Sequence, residues 1–394
     1  MRRLARRACL LFAACVPAGV VLAPAPAWAD TARAEVVLGA VLSLTGPGAG
    51  LGIPARNTAE LFPKEVAGRP VRWVVLDDAT DTTAATRAAR KLVDEEAVDA
   101  ILGPSTTPNS LALLDVVGAS GTPMVSLAGS SSPIEPQEGA RRWAFKMLPS
   151  ERVAATQILD HMLRQDSRSI ASIGFATSLG DGYIAALETA AAERGVKSLM
   201  QVRYNAADAG VAPQVLRLLA TRPDAVFVAA SSTPATTPIL ELRARGFTGP
   251  IYTVQGIAGP DALRVGGKAL DGVMFSSVPV LVAEQLPDEH PVKAQALRFI
   301  AAYEAKHGPG SRNLFGATLW DAHLLVAAGA EEAAKSARPG TPEFRRALRD
   351  AMERVRGLVG TQGVFNLSPA DHSGAEASSQ VMVEIRGGAY RLLP

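Results

Sequence analysis

The sequence predicts an α/β protein with two similar lobes, each a mostly parallel sheet flanked by helices. Short β-branched or aliphatic runs alternate with longer helical patterns from Glu35 onward, which is typical of βαβ units. A chain of 394 residues is long enough for two domains. A weak repeat, in which a strand leads into a hydroxyl-rich loop and then a helix, occurs at 99–108 and again at 224–234. This repeat favours two similar lobes over one continuous unit.

The predicted strands and helices follow one another along most of the chain. We predict strands at 36–41, 71–75, 100–102, 124–126, 170–175, 199–204, 225–228, 251–253 and 273–276. We predict helices at 53–66, 83–96, 109–119, 150–164, 180–194, 212–220 and 234–245, and then at 292–306 and 317–335 without strands between them. The chain is predicted to end in a hairpin, 381–385 and 390–393, that turns at Gly387–Gly388.

The first 29 residues have the pattern of a secretory signal peptide. Four arginines within the first seven residues precede an apolar run over 8–22, and Ala27–Trp28–Ala29 has the small-x-small pattern of a cleavage site. No later stretch reaches 18 uninterrupted apolar residues, which a membrane-spanning helix needs. We therefore expect a mature chain that starts at Asp30 and is exported to the periplasm.

Composition excludes several classes of function. Both cysteines, Cys9 and Cys15, lie in the predicted signal peptide, so the mature chain contains no disulfide, thiolate metal site or catalytic cysteine. Of the 40 Lys and Arg residues four lie in that leader, which leaves 36 against 38 Asp and Glu and provides no basic surface for nucleic acid. The five histidines lack metal-binding spacing, and no G-x-S-x-G motif is present. We expect no metal, no cofactor and no enzymatic activity.

Hydroxyl side chains cluster where predicted strands end. Ser105 and Thr107 follow the strand at 100–102, and Ser130 follows the strand at 124–126. Ligands of open parallel sheets bind at the carboxyl ends of the strands, where Ser, Thr and unpaired N–H groups can hold a carboxylate without a buried cation. The alternative is that Ser105 and Thr107 only cap helices.

Two further segments are candidates for a cofactor or metal site. The glycine-rich run 46–52 follows a strand and precedes a helix, but its spacing fits a dinucleotide fingerprint poorly, so we expect a loop that lines a ligand cavity. The acidic run 77–81 lacks the Gly and Glu of a calcium loop. A turn and a helix cap are expected there instead.

The sequence resembles the periplasmic leucine/isoleucine/valine-binding proteins, the type I solute-binding components of ABC transporters. The resemblance runs from about Glu35 to the final hairpin. It depends on the order and spacing of four segments, namely Val36–Gly39 leading into Leu44–Pro47, Val75–Asp78, Ile101–Thr106 and Leu179–Gly182.

The resemblance implies a two-lobed type I periplasmic binding protein that closes by hinge motion around a small ligand. It also implies a monomer in the periplasm that delivers its ligand to the permease and ATPase subunits of an ABC transporter. Three hinge crossings are expected near 146–150, 276–279 and 360–366. The expected parts are a signal peptide over 1–29, lobe 1 over 30–148 and 278–362, and lobe 2 over 149–277 and 363–394.

The resemblance also assigns binding residues. The hydroxyls that hold the ligand carboxylate fall on Thr107 and Ser130, with backbone groups near Ser105 and Ala128. Gln255 stands where the family places an acidic contact to the α-ammonium, and a neutral amide lacks the charge that favours an ammonium. The positions of the family's tyrosines hold Leu51, Leu179 and Ser232.

These departures leave the ligand open. It is a branched-chain or other hydrophobic amino acid, or an amine-free analogue such as an aromatic or branched aliphatic acid. The function also has an alternative: a sensor of the same fold that reports ligand occupancy to a membrane receptor.

Overall fold

The computed structural model describes residues 33–376 and 379–394, so the predicted signal peptide lies outside the described residues. The strands, in chain order, are β1 (Val36–Leu42), β2 (Glu65–Val66), β3 (Arg69–Asp77), β4 (Ala100–Leu102), β5 (Met124–Ser126), β6 (Ala144–Lys146), β7 (Ser169–Phe175), β8 (Lys197–Tyr204), β9 (Ala225–Ala229), β10 (Ile251–Val254), β11 (Val273–Ser277), β12 (Leu358–Val359), β13 (Val364–Phe365), β14 (Val381–Arg386) and β15 (Ala389–Leu392).

The helices lie between these strands, as the βαβ pattern requires. In chain order they are α1 (Ala49–Ala59), α2 (Thr82–Asp94), α3 (Thr107–Ala112), α4 (Leu114–Ser120), α5 (Glu151–Arg164), α6 (Ser178–Glu193), α7 (Ala212–Leu219), α8 (Thr236–Ala244), α9 (Pro260–Gly266), α10 (Lys293–His307), α11 (Leu314–Ala333) and α12 (Pro342–Met352). None of the described helices combines the length and apolarity needed to cross a membrane.

Two sheets form the centres of two lobes. The first has the strand order β2-β3-β1-β4-β5-β6, and all its pairs are parallel except β2 with β3. The second has the order β15-β14-β11-β10-β9-β7-β8, in which the C-terminal hairpin adds two antiparallel strands and β15 forms the edge. β1 is buried along its whole length, because helices cover both faces of a parallel sheet. The predicted two-lobed α/β architecture is confirmed.

The chain passes between the two lobes more than once. Strands up to β6 belong to the first sheet, and β7 to β11 belong to the second. Helices α11 and α12 then return to the first core, where Leu325 and Phe344 pack together with Leu38 of β1. The chain finally enters the second sheet again as β14 and β15.

Helix α11 joins one hydrophobic core of each lobe. Its first turn, with Leu314 and Phe315, packs in the core of the second sheet, whereas Leu319 and the residues that follow pack in the core of the first. Asp321 of the same helix accepts hydrogen bonds from the backbone N–H groups of Thr361 at 2.7 Å and Gln362 at 3.0 Å. The buried carboxylate of Asp321 therefore fixes the chain where the third crossing is predicted.

The segment after β11 contacts both lobes. Residues 280–283 and Leu286 pack in the core of the second sheet, and the exposed Gln285 donates to the backbone oxygen of Tyr390 on β15 at 3.0 Å. Helix α10 ends against α1 of the other lobe, through the ion pair of Lys306 with Glu60 at 3.0 Å. The segment 280–307 therefore contacts both lobes, and the assignment of 278–362 to lobe 1 stays a prediction.

Two predicted helices differ in extent from those of the structure, and several short elements were not predicted. The helix predicted over 53–66 is α1, which ends at Ala59, and Glu65–Val66 is a strand that turns back through Ala67 and Gly68 at φ values of 55° and 66°. The helix predicted over 109–119 is divided into α3 and α4. The short strands β2, β6, β12 and β13 and the helices α9 and α12 were not predicted.

Candidate functional site

A cavity of about 380 Å³ lies between the lobes, at the carboxyl ends of strands from both sheets. From the first sheet it receives residues that follow β3, β4 and β5, among them Thr80, Ser105–Asn109 and Gly129. From the second sheet it receives Thr177, Asn205, Ser231 and Gln255, which follow β7, β8, β9 and β10. Loops at the carboxyl ends of parallel strands are the usual ligand sites of such sheets.

The two lobes touch around this cavity. A Cβ atom built on Gly129 of the first lobe would lie 3.3 Å from the hydroxyl of Tyr183 on α6 of the second lobe. A Cβ atom built on Gly50 would lie 2.9 Å from Oγ of Ser232 in the second lobe. Glycine at these two positions permits close approach of the lobes.

The loop after β4 supplies the polar end of the cavity. The Oγ1 atoms of Thr106 and Thr107 and the Nδ2 atom of Asn109 are buried and have no hydrogen-bond partner. Thr107 is only 1% exposed. Ser105 differs, because its Oγ accepts a hydrogen bond from the backbone N–H of Ser43 at 3.2 Å. Three unpartnered donors that line one cavity can bind one acceptor group of a ligand.

Gln255 provides a second polar point on the other lobe. It directly follows β10, is 5% exposed, and its Oε1 atom is buried without a partner. An amide oxygen accepts a hydrogen bond but carries no full charge. The cavity therefore has donors on one lobe and a neutral acceptor on the other.

The remaining wall is mostly apolar. It is formed by Leu51, Leu127, Leu148, Phe175, Leu179, Val254 and Phe315, together with the ring of Tyr183. Burial raises the pKa of Tyr183, so its hydroxyl stays protonated. Among the described residues that line the cavity, no other side chain is ionisable.

Five of the eight predicted site residues line this cavity. They are Leu51, Ser105, Thr107, Leu179 and Gln255.

The other three predicted residues lie outside the lining, each for a local reason. Ser130 donates its hydroxyl to Glu151 at 2.8 Å. The N–H of Ala128 donates to Oγ of Ser126 at 3.1 Å. Ser232, at φ 57°, lines a separate surface cleft beside Gly50.

Several lining residues were missed by the sequence reasoning. Thr177 and Asn205 lie within two residues of the ends of β7 and β8, so the rule that selected Ser105 would also have selected them. Tyr183 lies one turn into α6, where the sequence shows only a helical apolar position. Phe315 comes from α11, and no local signal connects it with the strand ends.

The glycine-rich run 46–52 and the acidic run 77–81 have structural roles. Asp81 caps α2 by accepting from the N–H of Ala84 at 2.7 Å, and Asp77 accepts from the N–H of Leu44 at 2.8 Å. The expected turn and helix cap are thus confirmed. The glycine-rich run lines the cavity with Pro47 and Gly48 and starts α1. Within 33–376 and 379–394, no group of three His, Cys, Asp or Glu side chains is placed to hold a metal ion.

Two lobes that enclose a small cavity at their strand ends are the arrangement of a ligand-binding protein. The chain belongs to the family described as "Periplasmic binding protein", whose sequence model matches residues 35–389. Members of this family bind solutes. Membership of the family implies a periplasmic or extracellular location. The predicted family is confirmed at this level.

Solved structures agree with this assignment. An extracellular ligand-binding receptor from Rhodopseudomonas palustris HaA2 is 38% identical, with a TM-score of 0.89 over 92% of this chain and 100% of that chain. The leucine-binding protein LivK from Thermotoga maritima is 19% identical, with a TM-score of 0.79 over 91% and 98% of the two chains.

The branched-chain amino acid binding protein LivJ from Streptococcus pneumoniae, solved with isoleucine, is 18% identical, with a TM-score of 0.75 over 91% and 99%. LivK and LivJ share the fold. A search of curated proteins found no match.

Proposed function

We propose that the protein captures a small hydrophobic carboxylate between its lobes and delivers it to the permease and ATPase subunits of an ABC importer. It acts in the periplasm, as a binding protein and without catalysis. The site supports capture because a cavity of about 380 Å³ falls within the size range of small-molecule sites and is enclosed by both lobes.

The polar and apolar groups of the cavity wall support the proposed ligand class. The unpartnered donors of Thr106, Thr107 and Asn109 lie together on one loop and suit the two oxygens of a carboxylate. Hydrogen bonds from neutral donors to an anion are short and strong, so no buried cation is required. Leucine and phenylalanine side chains form the rest of the wall and suit an aliphatic or aromatic body.

Within the described residues, the cavity offers no negative charge to the ammonium group of an amino acid. Gln255 offers only a neutral oxygen, and the described lining contains no carboxylate. Moving an ammonium out of water without an anionic partner costs several kcal/mol, which one neutral hydrogen bond does not recover. We therefore propose that amine-free acids bind more tightly than amino acids with the same carbon skeleton.

A thermal-shift screen with matched pairs tests both parts of the proposal. The protein is unfolded and refolded to remove carried ligand and is then tested with leucine against 4-methylpentanoate and with phenylalanine against 3-phenylpropanoate. A ligand at about 100 times its Kd stabilises the folded protein by ~2.7 kcal/mol. We expect larger shifts with the two amine-free acids.

Two outcomes contradict the proposal in different ways. Larger shifts with the amino acids would show that Gln255 serves an ammonium and that the ligand is an amino acid. No shift with any of the four would show that the ligand class is wrong.

Delivery to a transporter is tested separately. Neighbouring genes for permease and ATPase subunits, together with loss of uptake of the identified acid on deletion of this gene, are expected. Normal uptake with loss of a signalling response would show a sensor instead.

A further inference from the structure

The loop after β5 is held by two charged side chains that do not line the cavity. Lys146 Nζ donates to the backbone oxygen of Gly129 at 2.6 Å. Glu151 accepts the hydroxyl of Ser130 on Oε1 at 2.8 Å and the backbone N–H of Ser131 on Oε2 at 2.8 Å. Hydrogen bonds therefore hold three consecutive residues, 129–131, on the side away from the cavity, and Gly129 itself lines the cavity.

These two side chains flank the first predicted crossing. Lys146 is the last residue of β6 in the first sheet, and Glu151 is the first residue of α5. The body of α5 belongs to the second lobe, since its Ile158 packs in one core with Phe227 of β9. Glu151 therefore reaches from a helix of the second lobe to a loop of the first.

The pair also balances buried charge. Lys146 is 1% exposed, and burial lowers its pKa while Glu151 opposes that change. Burial alone would raise the pKa of Glu151, but Lys146 and the hydrogen bonds from Ser130 and Ser131 hold it below its usual range. Removal of the Glu151 carboxylate would leave Glu135 as the remaining compensating charge for Lys146.

A second element of the other lobe packs on the same contact. A Cβ atom built on Gly182 of α6 would lie 3.1 Å from Oγ of Ser130 and 3.2 Å from Oε1 of Glu151. The next residue, Tyr183, lines the cavity. The Glu151 contact thus lies where the lobes meet, directly behind the cavity wall.

We propose that Glu151 is a positioning residue that ties the loop 129–131 to α5 and so holds the lobes in their closed arrangement with the cavity wall in place. The inference rests on the proposed function only in taking lobe closure as the binding step. When the lobes separate, α5 moves with the second lobe and its carboxylate leaves Ser130 and Ser131. Glu151 then links closure to the loop whose first residue, Gly129, is held by Lys146 and lines the cavity.

The test measures closure without any ligand. Cys9 and Cys15 are replaced by Ser, and single cysteines are placed at the exposed Ala119 of α4 and Ala185 of α6 for spin labels. Pulsed EPR then gives the distance distribution between the lobes. We expect Glu151→Gln to shift this distribution to longer and broader distances than in the parent protein.

A matched variant controls for charge. Glu135 also acts on the charge of Lys146, but its side chain makes no hydrogen bond with the loop 129–131. Glu135→Gln should therefore keep the parent distribution. If Glu151→Gln does not fold, Glu151→Asp keeps the charge but is too short to hold Ser130 and Ser131 together, and it should show the same shift.

A kinetic measurement completes the test. Glu151→Gln should release 4-methylpentanoate about tenfold faster or more, since the negative charge and one of the two acceptor oxygens are lost, and its association rate should change little. The distance measurement tests the role of Glu151 even if no acid from the screen binds. The proposal for Glu151 and the proposal for the ligand can therefore fail separately. A lower melting temperature with an unchanged distance distribution would overturn the inference and leave Glu151 a merely structural residue.

Discussion

His323 on α11 stacks on Phe62, with ring centroids 4.0 Å apart and ring planes inclined by 18°. The imidazole is 5% exposed, and its Nδ1 atom has no hydrogen-bond partner. Burial lowers the pKa of His323 from 6.5 to about 4. The folded protein therefore keeps this side chain neutral where an unfolded chain would bind a proton.

The depressed pKa of His323 predicts acid destabilisation. The folded state excludes a proton that the unfolded state binds, so this contribution to stability is complete above pH 6.5 and is lost as the pH falls to about 4. The loss amounts to up to about 3 kcal/mol. Denaturant unfolding of the parent and of His323→Phe at pH 7 and pH 4.5 measures it, and the difference between the two proteins should change with pH. An unchanged difference would contradict the prediction.

Thr107→Val should weaken binding of the carboxylate ligand. The substitution keeps the shape of the side chain and removes one of the unpartnered donors that line the cavity. A hydrogen bond to a charged group contributes about 1.5–3 kcal/mol, which corresponds to roughly 10- to 150-fold in Kd. Titration calorimetry gives the value. Thr189→Val, on the exposed part of α6, is the control and should leave Kd unchanged.

Gln255→Glu should reverse the preference between an amino acid and its amine-free analogue. The new carboxylate has the same size and lies in the cavity wall, where it attracts an ammonium and repels a second carboxylate. The ratio of the Kd for leucine to the Kd for 4-methylpentanoate should fall by about tenfold or more. An equal ratio in both proteins would show that Gln255 does not face the amine position.

Gly52→Ala should destabilise the protein and disturb the cavity. A Cβ atom at this position would lie 2.2 Å from the backbone oxygen of Ser43, so α1 and its neighbour Leu51 would have to shift. We expect a loss of about 1–3 kcal/mol in the free energy of unfolding. Gly210→Ala is the control, since a Cβ atom there meets nothing within 4 Å. Equal stability of the two variants would contradict the prediction.

The sheets could be predicted from the sequence because their strands are apolar runs bounded by turns. The strand bounds at 100–102 and 124–126 agree with the structure to the residue. The turn after Val66 could not be predicted, because Ala67 adopts a positive φ that alanine rarely favours. Helix α12 did carry a signal that was not used, since Thr341 caps it and Pro342 begins it.

The site could be predicted only where it depends on strand ends. Ser105, Thr107 and Gln255 follow buried strands, and the parallel sheets bring them to one cavity. Ser130 also follows a strand, but its hydroxyl is bonded to Glu151, which is 21 residues away. Sequence patterns do not show such a pairing, because it arises from the approach of two lobes.

Helix α11 has consequences for how the protein unfolds. Its first turn belongs to the hydrophobic core of one lobe and the remainder to that of the other, so loss of either core would expose apolar surface along the same helix. The two lobes are therefore thermodynamically coupled although the chain divides them into two sheets. A calorimetric scan of the ligand-free protein should show one cooperative transition, and neither lobe should persist as an independent folding unit.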